Sequence, residues 1–490
     1  MRNTVVSLLA LCCLAGYGVA QTLPDPAEYR RGLEGNPSAR TAKGELFTWH
    51  AAYGIDGFRL GYLVSKDARW LDEAVRYFDY LIGKMEKDPD GYRGWIGPHL
   101  GDNSVWGPAV VGDANLVAPM LQFAEIVLKD AALSQKYGQK AQEYISLAKK
   151  DVVEKYDKWG SYVEYGKYAA YVVQTKFIDP KQPGSWVERD DLKIAENMNK
   201  SGKMGTIFLR LYRITGDPAY RSRAEKLFSR YKLVMRYLKD EDRYVWNFWE
   251  PFGPWDMTSV PRHWVAVHPE RAGYQAAEVG YFTEAYHTGV VFDEADIRRM
   301  VNTNLWMWNK SLESPSFKSA DGSTEAGDLW SALEDFDETI RKIHGVLLAK
   351  GSGAQNALSR AYFEKVTCAE PAGFKRKYVK EGERITLPEI PLQPSRDITM
   401  AVAIPMVAQA GERIRLCCQI RTAGKLKVSL IDAMGKEVAV LKEYENATPQ
   451  YVSLRWNGTD PATNKQLTGD YRVRWTMADS VREVPITIKP

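Results

Sequence analysis

A repeated helical hairpin fills most of this chain and limits the possible folds more than any other feature. From residue 25 to about 366, an aromatic-rich apolar helix is followed by a short turn with Gly-Asp or Lys-Asp and then by a charged helix. Apolar residues recur at three- and four-residue spacing, the pattern of amphipathic helices. The predicted pairs are 46–64 with 67–86, 112–130 with 132–152, 196–215 with 217–238, 271–289 with 294–311, and 328–350 with a helix near 355–366.

About five such hairpins in one domain predict an α/α toroid, a helical-hairpin barrel with the first helix of each pair on the inside. One turn shows the helix boundaries clearly: Gly216 ends a helix, Asp217 caps the next and Pro218 takes its first turn. A straight solenoid is the alternative. The long aromatic loops between hairpins favour the toroid, because there they would crowd one rim and form a cleft.

The character of the sequence changes after about Ala372, where prolines and β-branched residues replace the helical spacing. Five segments then alternate apolar and polar residues, at 412–420, 425–433, 451–458, 471–477 and 481–488. This alternation predicts an all-β sandwich of the Ig type. We therefore expect a mainly α protein with a small β module, divided into a signal peptide (1–20), a toroid (21–370), and a linker with the sandwich (371–490).

The segment from Met1 to Ala20 has a basic start, a short apolar run and small residues at its end. This pattern indicates a secretory signal peptide, so we expect a secreted or periplasmic protein. The run is too short to span a bilayer, and no later segment looks apolar enough to do so. The formal net charge of +4 is spread over interleaved bases and acids, which argues against nucleic acid as a partner.

The cysteines left after the signal peptide do not form a disulfide framework. Cys368 can bridge to Cys417 or Cys418 in an oxidising compartment, and buried free thiols are the alternative. No Cys/His spacing suggests zinc. We expect no cofactor, although calcium stays open because no acidic loop has a recognisable ligand spacing.

An aromatic stretch from Tyr244 to His287 carries the strongest functional signal. It holds four tryptophans and three of the six histidines, together with two arginines and a tyrosine that suit the same site. Such groups can stack a sugar, bind its carboxylate and move a proton. The candidates are Trp246, Trp249, Trp264, Arg262, His263, His268, Arg271 and Tyr274. The alternative interpretation of the pair is that His268 caps the helix and Tyr274 is a core residue.

Two asparagines, Asn197 and Asn199, precede or open a predicted inner helix. Neutral amides near a helix N-terminus can bind a carboxylate, and simple capping by one of them is the alternative. A second series places His50, Tyr53, Asp56 and Arg59 three residues apart, near one helix face that can line the cleft. Core packing with a satisfied histidine is the alternative for that face.

Four acidic residues offer carboxylate chemistry: Asp102, Asp113, Glu250 and Asp256. Paired carboxylates serve glycoside hydrolases, but a nearby Gly or Pro suggests turn and cap roles for most of these. No serine-hydrolase elbow, phosphate loop, dinucleotide fingerprint or zincin motif occurs, so those classes lack support.

The C-terminal segment resembles the Ig-like module of flagellar hook-cap proteins, which also ends many secreted bacterial enzymes. The residues that carry the resemblance are Asp432, Gly435, Trp456, Asn457, Gly458, Asp460, Leu467, Gly469 and Tyr471. The glycine usual between Asp460 and Leu467 is absent, and Asn464 is expected to take that turn. The resemblance implies an accessory or tethering module, with possible contact to a cell surface or polysaccharide.

The helical part resembles the α/α-toroid polysaccharide lyases, the group of alginate and glucuronan lyases. The resemblance lies in 197–220, 244–249 and 262–292. It implies that Asn199 or Asn197, helped by Arg262 or Arg271, neutralises a uronate carboxylate. His268 or Tyr274 would then remove the C5 proton, and Tyr274 would protonate the leaving oxygen.

Together these expectations describe a secreted lyase that cleaves an acidic, uronate-containing polysaccharide by β-elimination. Substrate contacts are expected from Asn197, Arg262, His263, Trp246, Trp249, Trp264 and His50. A toroid glycoside hydrolase acting on uronic-acid oligosaccharides is one alternative, and a non-catalytic glycan-binding protein is another.

Overall fold

The computed structural model describes residues 23–100, 102–253, 256, 272–367, 373–390, 392–394, 397–420, 423–448 and 450–490. In this part of the chain, fourteen α-helices precede a β-rich C-terminal region. They are α1 Pro26–Glu34, α2 Pro37–Thr41, α3 Gly44–Ala52, α4 Gly57–Ser65, α5 Arg69–Ile82, α6 Val110–Leu128, α7 Ala131–Leu147, α8 Lys155–Lys158, α9 Met198–Thr215, α10 Pro218–Val234, α11 Ala272–Thr288, α12 Glu294–Met307, α13 Glu338–Lys350 and α14 Ala354–Tyr362.

The helical region is an α/α toroid. Its inner helices contact one another in chain order: α3 packs on α6, α6 on α9, and α9 on α11. The ring closes where α14 packs against α4. The outer helices α5, α7, α10 and α12 each follow an inner helix. The inner helices therefore run in the same direction around a central lumen.

The long connections all lie at one rim. The turns from inner to outer helix are short, whereas each path back to the next inner helix is long. The long paths therefore meet at the N-terminal ends of the inner helices, where the predicted cleft belongs. They carry short strands that the sequence analysis did not predict: β1 Glu86–Lys87, β2 Arg93–Gly94, β3 Gly97–His99, β4 Asp102–Gly107, β5 Tyr162–Tyr165, β6 Tyr168–Tyr171, β7 Lys176–Asp179, β8 Gln182–Glu188, β9 Arg236–Leu238 and β10 Arg243–Val245.

The first inner helix is broken, although the sequence predicted one helix over 46–64. The helix α3 ends at Ala52, and α4 begins at Gly57. At Gly54 the backbone takes a φ of +78°, which favours glycine. The carbonyl of Gly54 also accepts a hydrogen bond from Tyr29 Oη. A local turn and a tertiary contact therefore override the helical spacing.

The most buried helix of the toroid is α6. By length and composition it is apolar enough to cross a membrane, which the sequence analysis missed. However, 83% of its most apolar window is buried inside the protein. It contacts α3, α7 and α9, as expected of a core helix. Its hydropathy is thus explained by its place in the toroid core.

The C-terminal region folds into two sheets around a shared apolar core. One sheet has the order β12-β14-β17, and the other β13-β19-β18-β15-β16. The strands are β11 Gln393–Pro394 (paired with β9), β12 Ile398–Ile404, β13 Val407–Gln409, β14 Ile414–Ile420, β15 Gly424–Ile431, β16 Glu437–Ala447, β17 Gln450–Trp456, β18 Gly469–Met477 and β19 Ser480–Lys489. The predicted strands are confirmed, whereas the Ig-like assignment stays a prediction.

Two smaller predictions concern this region. Asn464 has a φ of +54°, so it does take the turn that a glycine usually occupies. Cys417 and Cys418 are buried free thiols. Cys368 and the predicted signal peptide (1–20) lie outside the described residues.

Candidate functional site

A cluster of buried charges lies at the N-terminal rim of the lumen. Lys200 Nζ in the first turn of α9 is 3.0 Å from Glu45 Oε1 in the first turn of α3. The same Nζ is 3.3 Å from Glu196 Oε2. The indole N–H of Trp49 donates a hydrogen bond to Glu45 Oε1 at 3.2 Å. Glu45 and Glu196 are 3% and 4% exposed. Because both contact the same Nζ atom, their carboxyl groups are near each other.

The surroundings of this rim cluster change the pKa values of Glu196 and His99. Burial raises the pKa of Glu196; Lys200 lowers it, and the charge of Glu45 raises it further. Burial also lowers the pKa of His99, which comes from β3 and lies within electrostatic reach of Glu45, to about 4. His99 is therefore neutral at ordinary pH. A carboxyl whose pKa is raised beside a second carboxyl is an arrangement used for general acid catalysis.

The two asparagines of the sequence analysis lie beside this cluster. Asn197 is the N-cap residue of α9, but its side chain makes no capping hydrogen bond. The Oδ1 atoms of Asn197 and Asn199 are buried and accept no hydrogen bond from any described residue. Simple capping therefore does not explain them. A buried amide oxygen that accepts no bond is costly unless a ligand or water supplies the donor.

Below the rim, the lumen is polar. Asp56 forms a two-pronged ion pair with Arg59, at 2.7 and 2.8 Å, and keeps 44% of its side chain exposed. Lys203 and Arg210 of α9 lie close enough to help lower the pKa of Asp56 against the effect of burial. Asp56 is therefore within electrostatic reach of α9, whereas the role of this face in a cleft stays a prediction. On the same face, His50 is half-buried in α3 and Tyr53 is 70% exposed.

Helix α11 has open space at one position. A Cβ added at Gly280 would meet no atom within 4 Å. Ala276, Ala277 and Tyr281 are half-buried.

The two described tryptophans of the aromatic stretch lie in the core. Trp246 and Trp249 have no exposed surface. Trp246 donates to Glu278 Oε2 at 2.5 Å, and Trp249 donates to the carbonyl of Ala195 at 2.8 Å. Neither ring has a face open to a sugar, so the prediction of direct substrate contact is not supported at these two positions. They position the loop before α11 instead.

Tyr274 lies in the first turn of α11, as predicted, and is half-buried against Phe248. The remaining predicted residues of this stretch are Arg262, His263, Trp264, His268 and Arg271. They lie outside the described residues, so their roles stay predictions. His287 is at the other end of α11, away from the long loops, where its ring stacks on Phe336.

The four acidic candidates occupy structural positions. Asp113 is buried with Lys155 at 2.5 Å and Tyr156 at 2.9 Å. Asp102 pairs with Arg189, and bonds from Ser104 and Arg189 lower its pKa to about 2.

The other two acids hold the loop before α11. Asp256 accepts three backbone N–H bonds, from Ala195, Phe252 and Gly253, although burial raises its pKa to about 6. Glu250 is buried and accepts a bond from Asn247. These contacts suit carboxylates that fix loops rather than groups that reach a substrate.

Sequence reasoning missed Glu45, Lys200 and Lys203. Glu45 lies one residue before the predicted helix that starts at 46, and the lysines follow the noted asparagines. Glu45 and Lys200 each lie in the first turn of an inner helix, and a charged residue at that position is the sequence signal that could have indicated the rim cluster. Within the described ranges, no group of three or more His, Cys, Asp or Glu side chains is placed so that it could hold a metal ion.

Comparisons with known proteins give low similarity. No protein-family model and no curated protein matches the chain. A family 76 glycoside hydrolase (mannosidase) from Bacteroides thetaiotaomicron VPI-5482 is 15% identical and covers 65% of this chain and 69% of its own, with a TM-score of 0.34. The GH76A alpha-1,6-mannanase of Salegentibacter sp. HEL1_6 is 12% identical, and the match covers 69% of this chain and 79% of the mannanase, with a TM-score of 0.34. The cellobiose 2-epimerase of Spirochaeta thermophila DSM 6192 is 14% identical, and the match covers 71% of this chain and 76% of the epimerase, with a TM-score of 0.35.

The prediction of a polysaccharide lyase is wrong. The three similar solved structures named above are two glycoside hydrolases and a sugar epimerase, not lyases. The rim also differs from what β-elimination on a uronate needs. Asn199, the predicted neutraliser, lies beside Lys200, whose charge is already shared by Glu45 and Glu196. A substrate carboxylate placed there would find the ammonium group of Lys200 already in contact with two protein carboxyls.

Proposed function

We propose that this protein is a glycoside hydrolase that binds a glycan at the N-terminal rim of the toroid lumen. Glu196 is the general acid, and Glu45 is the nucleophile. The observation that carries the proposal is the shared contact of both carboxyls with Lys200 Nζ. It holds two carboxyls close together at the end of the lumen where the long loops meet.

The chemistry follows from the environment of each carboxyl. Burial keeps Glu196 protonated to a higher pH, so it can donate its proton to the glycosidic oxygen as that bond breaks. Glu45 accepts a hydrogen bond from Trp49 and contacts Lys200, so its carboxyl is held in place beside Glu196. It can then attack the anomeric carbon, and water later releases the sugar and returns a proton to Glu196.

The spacing of the pair favours retention of anomeric configuration. Retaining enzymes hold their carboxyls about 5–5.5 Å apart, and inverting enzymes hold them about 6.5–9.5 Å apart to admit a water. Because both carboxyls contact one ammonium group, at 3.0 and 3.3 Å, we assign the pair to the closely spaced, retaining type. Asn197 and Asn199 supply buried acceptors for sugar hydroxyl groups.

The test measures new reducing ends when the purified protein meets neutral and acidic glycans, including α-1,6-mannan, cellulose oligosaccharides and polyuronates. We expect cleavage of at least one glycan and a loss of about 10³-fold or more in kcat for Glu196→Gln and Glu45→Gln, since each removes a group that acts in bond cleavage.

The matched control is Glu125→Gln. Glu125 is also a buried inner-helix glutamate paired with a cation, Arg213, but it lies at the opposite end of the lumen. It should lose stability and keep kcat. Equal losses of kcat in all three variants, or cleavage that survives Glu196→Gln, would reject the proposed pair.

Two further proposals accompany this one. The segment 1–20 directs the protein to export, and the C-terminal β module is an accessory or tethering domain. Detection of the mature protein outside the cytoplasm, with an N-terminus after Ala20, tests the first. Comparison of glycan binding with and without the module tests the second.

A further inference from the structure

We infer that the lumen below the proposed catalytic pair binds an anionic substituent of the substrate through Lys203. This inference rests on the proposed function, because it assigns a substrate class to the same lumen. The ligand chemistry is a carboxylate, sulfate or phosphate carried on a sugar.

The position of Lys203 places it in the lumen. It lies on α9 one turn below Asn199 and two turns above Arg210, so the three residues share one helix face. Its charge acts on Asp56, which belongs to the first inner helices on the other side of α6. Only the lumen joins these two positions. The side chain is half-buried, so a ligand in the lumen can reach it.

The charges around Lys203 leave it without a carboxylate of its own. Asp56 is held by Arg59, and Glu284 is held by Arg210 at 2.9 Å in two bonds. Deeper in the lumen, Arg213 pairs with Glu125 and also with Glu284. Among the described residues, Lys203 Nζ has no carboxylate at ion-pair distance and lies 5.7 Å from the ring centre of Tyr281.

Such an ammonium group is costly to the protein. Burial and the nearby Arg210 together lower the pKa of Lys203 to about 8, so most of it is still protonated at neutral pH. An ammonium kept in a partly desolvated lumen without a counter-ion gains most from an anion that supplies one. The open wall at Gly280 gives that anion space.

The alternative use of Lys203 is structural, as a cation that only balances Asp56 and Glu284. The guanidinium partners argue against it, because both carboxylates already accept two-pronged bonds from arginines. A structural cation would also be expected to contact a carboxylate directly, as Lys200 and Lys232 do.

The experiment compares matched ligands by calorimetry in the Glu196→Gln background, where turnover is blocked. The probes are a β-1,4-linked glucuronic acid trisaccharide against cellotriose, and glucose 6-sulfate and glucose 6-phosphate against glucose. We expect at least one anionic sugar to bind about tenfold more tightly than its neutral counterpart, as one charged hydrogen bond gives. The three anions distinguish carboxylate, sulfate and phosphate as the source.

Variants then assign the preference to Lys203. Lys203→Met should remove the difference and leave the affinity for the neutral sugar unchanged, and Lys203→Arg should keep most of it. Lys226→Met is the control, since Lys226 is a lysine on the outer helix α10 that pairs with Glu164. Equal affinities for charged and neutral sugars, or a preference that survives Lys203→Met, overturns the inference.

The outcome is separable from that of the proposed function. A Lys203-dependent preference in a protein that cleaves no glycan rejects the hydrolase and keeps the anion site. Cleavage of glycans by a protein with no charge preference rejects the anion site and keeps the hydrolase.

Discussion

Lys200 and Glu45 join two inner helices that are not neighbours in the ring. The 3.0 Å contact between Nζ and Oε1 runs from α9 to α3 in front of α6, and both side chains are buried. Breaking a buried ion pair by removing one partner typically costs about 3–5 kcal/mol. This contact therefore supports the toroid as well as the proposed catalytic pair.

Replacing Lys200 by methionine should change the pH dependence of the reaction. Without the ammonium group, the pKa of Glu196 rises further, because a charge that stabilises its ionised form is gone. The general acid then keeps its proton to a higher pH, so the basic limb of the kcat/KM profile should move up by about one pH unit or more.

The control for this variant is Lys232→Met. Lys232 is a buried lysine that pairs with Asp296 at 2.8 Å, but it lies on the outer helix α10. We expect it to lose stability as Lys200→Met does and to leave the pH profile in place. A pH–rate profile of Lys200→Met that matches the parent protein would contradict the prediction.

Glu278 should make the protein less stable as pH rises. It is fully buried, and burial raises its pKa from 4.5 to about 8, opposed by the bond from Trp246. Between these values the folded protein binds a proton that the unfolded chain has released, so the free energy of unfolding falls as pH rises. We compare the free energy of unfolding of Glu278→Gln with that of the parent, measured in urea at pH 5.5 and pH 8.5. The difference should shift in favour of the variant by on the order of 2 kcal/mol at the higher pH.

Glu125→Gln is the contrasting variant. The pKa of Glu125 is lowered, because its bonds to Arg213 and Lys129 outweigh burial. Glu125 is therefore ionised in both the folded and the unfolded chain above pH 5.5. Its loss should destabilise the protein equally at the two pH values. A Glu278→Gln effect that is also independent of pH would refute the raised pKa.

Two glycines on facing inner helices should respond to alanine in opposite ways. A Cβ at Gly202 on α9 would lie 2.5 Å from Tyr231 Oη and 2.7 Å from Tyr281 Cδ2, so Gly202→Ala should cost about 1–3 kcal/mol. Gly280→Ala on α11 meets nothing and should gain about 0.5–1 kcal/mol from helix propensity. Thermal and urea unfolding of the pair check this; equal effects would contradict the close packing of α9.

Asp256→Asn should lower stability without blocking bond cleavage. The carboxylate accepts N–H bonds from Ala195, Phe252 and Gly253, and an amide keeps only one acceptor oxygen for them. We expect a loss of about 1–3 kcal/mol and a kcat within a few-fold of the parent. A kcat loss as large as that of Glu196→Gln would restore Asp256 as a catalytic acid.

Much of the toroid follows from local pattern. The boundaries of α9 and α10 were predicted at Gly216 and Asp217, because capping and left-handed backbone are decided by residues adjacent in sequence. The strands of the C-terminal region follow from alternation for the same reason. The break at Gly54 was not predicted, since it depends on Tyr29 from a different helix.

The chemistry of the site divides differently. Sequence patterns pointed to the aromatic stretch, yet Trp246 and Trp249 are core residues, because an indole suits a sugar and an apolar interior equally well. Asn197 and Asn199 were identified because they lie at a helix start, where the sequence shows them side by side. The use of Glu45 was not evident, because its partner Lys200 is more than 150 residues away in the chain.

The sequence by itself determined the hairpin repeat, the helix ends and the alternation of the β strands, because each depends on residues within a few positions of one another. Only the tertiary structure decided which acids share Lys200, which tryptophans are buried, and why Lys203 lacks a carboxylate. Those properties depend on charges and rings that come from separate helices, and they meet only when the ring closes around its lumen.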